Sequence, residues 1–458
     1  MLFKQFIGSC ALLMAVMPVQ ADSLVEIYEL ALVNDPQLSA AEAAYRANRE
    51  SVNIRRAALL PQISAVASYQ ESEQNVNSVS VLSDTTTFTR KGDVDNDTES
   101  VSVSLSQPLF DVSAWFDFKQ GKQTSEQARL TFTDEKQQQI LNVADAYFNV
   151  LRISENLATA RAEETALERQ LQQTRERFEV GLLPITDVHE AQAAYDNAVV
   201  NTLEFRGELG IAFEALEILT GQPHHELSGL VATFPVVSPM PQEVNEWVSF
   251  SLANNPGLKA SEYAMLAADY NARARKAEHL PTVTGSLSYT NNDSEGDSLG
   301  NPSSDETEGG LAKVELRVPI FTGGLTSANR RQATQQAIQS KQQYMSNKRN
   351  TVQQTRSNHL QVVTNVARVK ARNQAVTSAE SALEATQAGY DVGTRNIVDV
   401  LNAQRVLFQA KRDYANARYD YINSYLALKK VSGQLSPEDL YQLNNWLSPS
   451  LAVVRAAQ

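Results

Sequence analysis

Apolar and polar positions along the chain follow two periods, and each half of the sequence uses both in the same order. Val101, Val103 and Leu105 alternate with Ser102, Ser104 and Ser106. In the second half Val283, Leu287 and Tyr289 alternate with Thr284, Ser286 and Ser288, and Val314, Leu316 and Val318 alternate with Lys313, Glu315 and Arg317. Ile63 to Tyr69 is the weakest of the four segments. A period of two puts one apolar and one polar face on a strand. Strands are therefore predicted at about 62–72, 99–107, 281–291 and 311–318. The very polar stretches between them, Glu71 to Ser100 and Asn291 to Gly310, read as loops facing water.

Elsewhere the period is that of a coiled coil. Ile140, Ala144, Tyr147 and Leu151 form one seam, and Val362, Val366 and Val369 another that skips Asn373 to reach Val376. Steps of four and three give a ~3.5-residue repeat. No glycine or proline interrupts Gly121 to Gly181, or Gly324 to Gly389. At ~1.5 Å per residue a helix of that size approaches ~100 Å, about three times the hydrocarbon thickness of a bilayer. Long helices are predicted at about 112–178, 185–221, 325–390 and 397–433.

The common order has a reason, because the chain repeats itself. Asn34-Asp35-Pro36-Gln37-Leu38 recurs as Asn254-Asn255-Pro256-Gly257-Leu258, Leu60-Pro61 as Leu280-Pro281, and Tyr69 as Tyr289. Pro108-Leu109-Phe110 returns as Pro319-Ile320-Phe321, Val180-Gly181 as Val392-Gly393, and Asp187-Val188 as Asp399-Val400. Ala191-Gln192 and Gly221-Gln222 return as Ala403-Gln404 and Gly433-Gln434. The offset changes once, between Tyr69 and Pro108, where the first half has the longer polar segment. Residues 22–233 thus form a first structural repeat, 234–447 a second, and 448–458 a C-terminal tail. In each, a proline-marked short helix leads into one of about 20 residues that stops before Pro61 or Pro281.

Composition adds the compartment. Lys4, the apolar run Phe6 to Val16 and the small-residue site Val19-Gln20-Ala21 read as an export signal over residues 1–21. Cys10, the only cysteine, leaves with it, so the mature chain has no disulfide and no thiolate metal site. Loss of Lys4 moves the net charge from −13 to −14, which argues against nucleic acid as a partner. No stretch approaches the ~20 apolar residues of a spanning helix.

An export signal, no helical span and alternating segments of about 10 residues are the marks of a membrane β-barrel. Four strands cannot close one, since about eight are the minimum, and open edges in lipid strand backbone groups at several kcal/mol each. Two or more chains must therefore share a barrel. Strands coaxial with the helices would extend that barrel as a tunnel through the periplasm.

Several stretches resemble the TolC family of outer-membrane efflux and secretion channels, over roughly residues 22 to 447. They are Ala146-Tyr147-Phe148-Asn149-Val150-Leu151, Arg177-Phe178-Glu179-Val180-Gly181, Ile185-Thr186-Asp187-Val188, Gly389-Tyr390-Asp391-Val392-Gly393-Thr394-Arg395, Ile397-Val398-Asp399-Val400-Leu401 and Ala415-Asn416-Ala417-Arg418-Tyr419. The resemblance implies a mainly α fold with membrane β-structure: a homotrimer sharing a twelve-stranded barrel, four strands per chain, above an α-helical periplasmic tunnel. It implies a periplasmic adaptor (membrane fusion) protein, an inner-membrane efflux or ABC transporter and outer-membrane lipid as partners. It also implies an iris-like gate in which Thr186 and Asp187 accept bonds from Tyr390 and Arg395, within and between protomers. At the pore constriction Asp399 matches the first of two family aspartates, and Asn402 replaces the second. Three Asp399 carboxylates would form a cation-preferring ring, weakened by the loss of the other.

The remaining candidates are weaker. Phe110, Trp115, Phe116, Phe118 and Phe321 follow the strands, where an aromatic girdle at the membrane interface would lie. His224-His225 reads as a surface pair, with no further ligands nearby in sequence. Asp93 to Asp97 resembles the start of a calcium loop, but Thr98 stands where glycine is needed and Ser104 where the glutamate belongs. No cofactor, metal or catalytic constellation is expected. The competing expectation is a soluble periplasmic coiled-coil adaptor or structural protein of a transport complex.

Overall fold

The structure, a computed structural model, describes residues 21–83, 86–298 and 301–455. Apart from Ala21, the expected export signal lies outside the described residues. In chain order the elements are α1 (Leu24–Asn34), α2 (Pro36–Arg49), α3 (Ser51–Ala57), β1 (Gln62–Ser83), β2 (Thr86–Phe110), α4 (Val112–Glu179), α5 (Ile185–Thr220) and β3 (Glu226–Leu230). There follow α6 (Val244–Asn254), α7 (Pro256–Ala277), β4 (Thr282–Ser298), β5 (Asn301–Arg317), α8 (Leu325–Asp391), α9 (Ile397–Val431), α10 (Pro437–Asn444) and β6 (Leu447–Val454). No helix among the described residues is long and apolar enough to cross a membrane.

Compactness divides the chain differently from repetition. One unit comprises residues 1–42, 132–256 and 349–458, the other 43–131 and 257–348, so each draws on both halves.

The second unit carries a four-stranded antiparallel sheet in the order β1-β2-β4-β5. Its register makes the alternation two-dimensional. Ile63, Leu105, Leu287 and Ala312 form one row, and Ala65, Val103, Tyr289 and Gly310 the next. On the opposite face Ser64, Ser104 and Ser288 align, as do Ser106 and Ser286. Val66 and Leu311 are apolar exceptions on that hydroxyl face. Ile63, Val101, Val103, Leu287, Tyr289, Val314 and Leu316 are all exposed in the single chain. The apolar part of β2, Val101 to Leu109, has about the ~9–11 residues that a tilted spanning strand needs.

The strands run well beyond the expected segments, through the polar stretches read as loops. Ladder bonds belong to the backbone, so a hairpin with polar side chains on both faces still pairs once the apolar part has set its register. Asp93 accordingly sits on β2, where its carboxylate accepts a bond from Asn75 Nδ2 at 2.6 Å. The first expected 20-residue helix is broken at Glu50, next to the point where Ser51 Oγ donates to the Gly121 carbonyl at 3.0 Å. Its counterpart α7 is continuous over 22 residues.

The first unit holds the main core. Ile140, Ala144, Tyr147 and Leu151 of the α4 seam are buried, together with Phe213 and Leu216 of α5, Tyr419 and Ile422 of α9, and Trp247 of α6. A capping box, with Ser23 and Glu26 satisfying each other's backbone N–H, starts α1 and delivers Leu24 and Ile27 to the same core. Tyr147 Oη donates to the Ser228 carbonyl at 2.7 Å, and burial pushes this phenol far above its ordinary range. The residues expected as a tail form β6, which pairs antiparallel with β3 as far as Val454. His224 is not a surface residue. It is 1% exposed, with Nδ1 2.7 Å from Asp22 Oδ2 and Nε2 2.7 Å from Thr220 Oγ1.

Candidate functional site at the helix turns and the strand ends

Two glycine turns, one per repeat, position the expected gate residues. After α4, Gly181 has φ +78, and the Leu182 N–H donates to the Arg177 carbonyl at 2.9 Å. After α8, Gly393 has φ +80, and the Thr394 N–H donates to the Gly389 carbonyl at 2.8 Å. Both close their helices with a left-handed residue that only glycine adopts without strain. Asn396 then caps α9: its side chain accepts from the Asp399 N–H at 2.8 Å, and Asp399 Oδ2 accepts from the Asn396 N–H at 3.5 Å.

Within one chain the four expected link residues form two separate groups. Tyr390 is 7% exposed and packs with Ile397 and Val400, and its hydroxyl has no hydrogen-bond partner among the described residues. Arg395 Nη1 lies 3.8 Å from Asp399 Oδ2, one turn into α9. Thr186 Oγ1 donates to its neighbour Asp187 at 3.4 Å. The expected bonds from Tyr390 and Arg395 to Thr186 and Asp187 are thus not made inside the protomer.

Arg177 takes that place. Its guanidinium lies 5.0 Å from the Tyr390 ring centroid, with Nη2 3.5 Å from Asp391 Oδ1, and so ties the last turn of α4 to that of α8. In the sequence Arg177 is legible only as part of the stretch Arg177-Phe178-Glu179-Val180-Gly181. Its signal was a cation in the last turn of a helix, where the dipole favours one. What it would cover was not written in the sequence.

The carboxylate of Asp399 is 38% exposed, so its contact with Arg395 is a weak, hydrated one. Asn402 Oδ1 accepts from Arg405 Nη2 at 3.2 Å. Asn402 and Arg405 line a cleft of about 530 Å³ with Asn201, Phe205, Glu163 and Arg412. Arg412 Nη1 meets Glu163 at 2.6 Å, with both side chains largely buried.

At the strand ends Phe110, Trp115 and Phe321 are exposed, Phe321 by 87%. Phe116 instead stacks on Tyr270 with centroids 6.5 Å apart. No group of three or more His, Cys, Asp or Glu side chains among the described residues could hold a metal.

Comparison with known proteins follows the same layout. The model of the family described as "Outer membrane efflux protein" matches residues 27–222 and 247–434, one segment in each half. The Outer membrane protein TolC of Vibrio cholerae is 37% identical over 428 residues, covering 93% of this chain and 94% of that protein. The Alkaline protease secretion protein AprF of Pseudomonas aeruginosa is 31% identical, covering 91% of this chain and 85% of its own. The crystal structure of the outer membrane protein VceC from Vibrio cholerae superposes with a TM-score of 0.74 at 20% identity, over 90% of this chain and 96% of that one. With a segment of each half matched and most of each relative's length covered, the chain belongs to the outer membrane efflux protein family.

Proposed function

We propose that this chain is one protomer of an outer-membrane exit duct, serving efflux or type I secretion and performing no catalysis. The observation that carries the reading is the sheet. It has an apolar face exposed in the single chain, a hydroxyl-lined opposite face, and two open edges at β1 and β5. Lipid against the apolar face and water against the hydroxyl face satisfy both. Three copies joined edge to edge supply twelve strands and remove every open edge. Residues 22–233 and 234–447 are then repeats of one ancestral unit, and the export signal delivers the chain to the outer membrane.

In this assembly the helix turns form the periplasmic gate. Arg177 holds Tyr390 within each protomer, while Thr186 and Asp187 meet Tyr390 and Arg395 of adjacent protomers. Asp399, with Asn402 one turn on, lines the constriction, and Phe110, Trp115, Phe116 and Phe321 mark the membrane interface. A periplasmic adaptor opens the iris by replacing these few exposed links, and an inner-membrane efflux or ABC transporter supplies the cargo.

Planar-bilayer conductance tests the reading. Wild type is expected to show a small, cation-preferring conductance. Tyr390→Phe with Arg395→Ser enlarges it, and Asp399→Ala removes the cation preference. A soluble protein without channel activity in any variant would overturn the duct in favour of a periplasmic adaptor.

A further inference from the structure

Where the strands meet the helices, an acidic chain gathers unpaired positive charge. The net charge of the whole sequence is −13. Yet the last turns of α3 and α7 carry Arg55, Arg56, Arg275 and Lys276, and the early turns of α4 carry Lys119 and Lys122. Three contacts lock these helices together. Ser51 Oγ bonds the Gly121 carbonyl, Arg55 Nη1 lies 3.5 Å from Asp117 Oδ1, and Arg275 Nη2 lies 3.8 Å from the same oxygen.

Every acid here is already occupied. Asp117 serves Arg55 and Arg275, Glu278 serves Arg275, Asp269 serves Arg273, and Asp111 accepts from the Ala114 N–H. Arg56, Lys119, Lys122 and Lys276 have no carboxylate partner among the described residues.

The helix dipole accounts for cations at the C-terminal ends of α3 and α7. It gives no reason for Lys119 and Lys122 near the N-terminal end of α4. Their contacts are with rings. Lys119 Nζ lies 5.4 Å from the Trp115 centroid and 5.9 Å from that of Tyr270, and Lys122 Nζ lies 4.5 Å from that of Phe118. Side chains on a helix lean toward its N-terminus, so both ammonium groups reach one turn back toward the strand ends. Arg273 adds a third cation over Tyr270, at 5.4 Å. Rings that accept hydrocarbon, with unpaired cations at their rims, suit a site that is half acyl chain and half headgroup.

We propose that the junction of α3, α4 and α7 binds the phosphate-bearing headgroup of an anionic glycerophospholipid in the periplasmic leaflet, with Lys119 and Lys122 as the contacting cations. The proposal rests on the outer-membrane reading above and adds a specific lipid class to it. The acyl chains lie along the apolar strand face that ends at Leu316 and Leu109. The headgroup phosphate replaces the counter-ion that no carboxylate provides.

The test uses the full mature protein, delipidated in non-ionic detergent and titrated with fluorescent phosphatidylglycerol or phosphatidylcholine. Wild type is expected to prefer phosphatidylglycerol. Lys119→Gln with Lys122→Gln should reduce that preference by on the order of five-fold per lysine. Lys119→Arg with Lys122→Arg should keep it, and so should Lys348→Gln with Lys370→Gln, which removes an equal charge from α8. Equal affinity of wild type for the two lipids, or an unchanged preference in the double Gln variant, overturns the proposal. Competition by inorganic phosphate at concentrations matching the lipid's overturns it in favour of a free-anion site. Channel conductance separates the two readings: a conducting wild type without lipid preference sinks this proposal alone, and a soluble, non-conducting protein sinks both.

Discussion

A Cβ built on Gly389 would stand 2.8 Å from Arg395 Cγ and 3.3 Å from Thr394 Oγ1. In the alignment that pairs Val180-Gly181 with Val392-Gly393, Arg177 stands opposite Gly389, so the two halves differ at this position. Gly389 has ordinary helical geometry, and alanine there would by itself favour the helix by up to ~1 kcal/mol. Gly389→Ala is therefore expected to keep or raise the melting temperature while displacing the Arg395 stem from Asp399. Resting conductance should then rise toward that of Arg395→Ser; an unchanged conductance would show that the Arg395 position does not hold the gate. Asp117 gives a prediction of a different kind. Burial, outweighing the lowering effect of Arg275 and Arg55, holds its carboxyl above the usual range. With the folded value raised, the proton binds the folded state more tightly, and that stabilisation fades as pH rises from about 4 through the folded value. Wild type should thus lose ground to Asp117→Asn over that window in thermal melts, and a pH-independent difference would contradict the burial argument. Pairings of this kind are what the sequence conceals most. Thr186, Asp187, Tyr390 and Arg395 are legible as turn residues, but that Arg177 covers Tyr390 depends on how two helix ends far apart in the chain lie together.

At the scale of elements the alternating segments and the glycine-free runs were readable because strand and helix periods differ, and because Gly181, Gly221, Gly393 and Gly433 all have positive φ at helix ends. Two features were not. Gly121 bounded a run in the sequence; in the fold it is a crossing point, where an added Cβ would lie 2.9 Å from the Ser51 carbonyl oxygen and 3.0 Å from Arg55 Cγ. Gly121→Ala must push α3 away from α4, and a loss of about 1–3 kcal/mol is expected in denaturant titration, with faster proteolysis at α3. Unchanged stability would mean that α3 yields freely. The strands' polar extensions were hidden for another reason, since their side chains carry no period. Their register sets acids opposite acids: Glu71 faces Asp97, which faces Glu295, and Glu73 faces Asp95, which faces Asp297. Like charges directly opposite weaken a pair of strands. Added salt should therefore slow amide hydrogen exchange in these rows, while the apolar rows below them stay unchanged.

For the whole molecule, the decisive observation is a four-stranded sheet whose edge strands have no further strand beside them among the described residues. The sequence supplied the reasoning for a shared barrel through strand count alone, yet it left the number of chains open. The fold adds that β1 and β5 are the free edges, and the first unit adds a row of exposed apolar residues on α5, namely Val200, Leu203, Ile211 and Ile218. On the proposed shared-barrel reading, another copy of the chain closes those edges. A protomer released from that contact leaves unpaired backbone in lipid and apolar side chains in water, so a folded monomer should be scarce. Folding is then linked to association, and the apparent melting temperature in detergent should climb with protein concentration over a hundredfold range. Sedimentation should find three copies in every folded fraction. A folded monomer whose melting temperature ignores concentration would mean that the edges are satisfied within one chain, and the barrel would have to be rebuilt from that starting point.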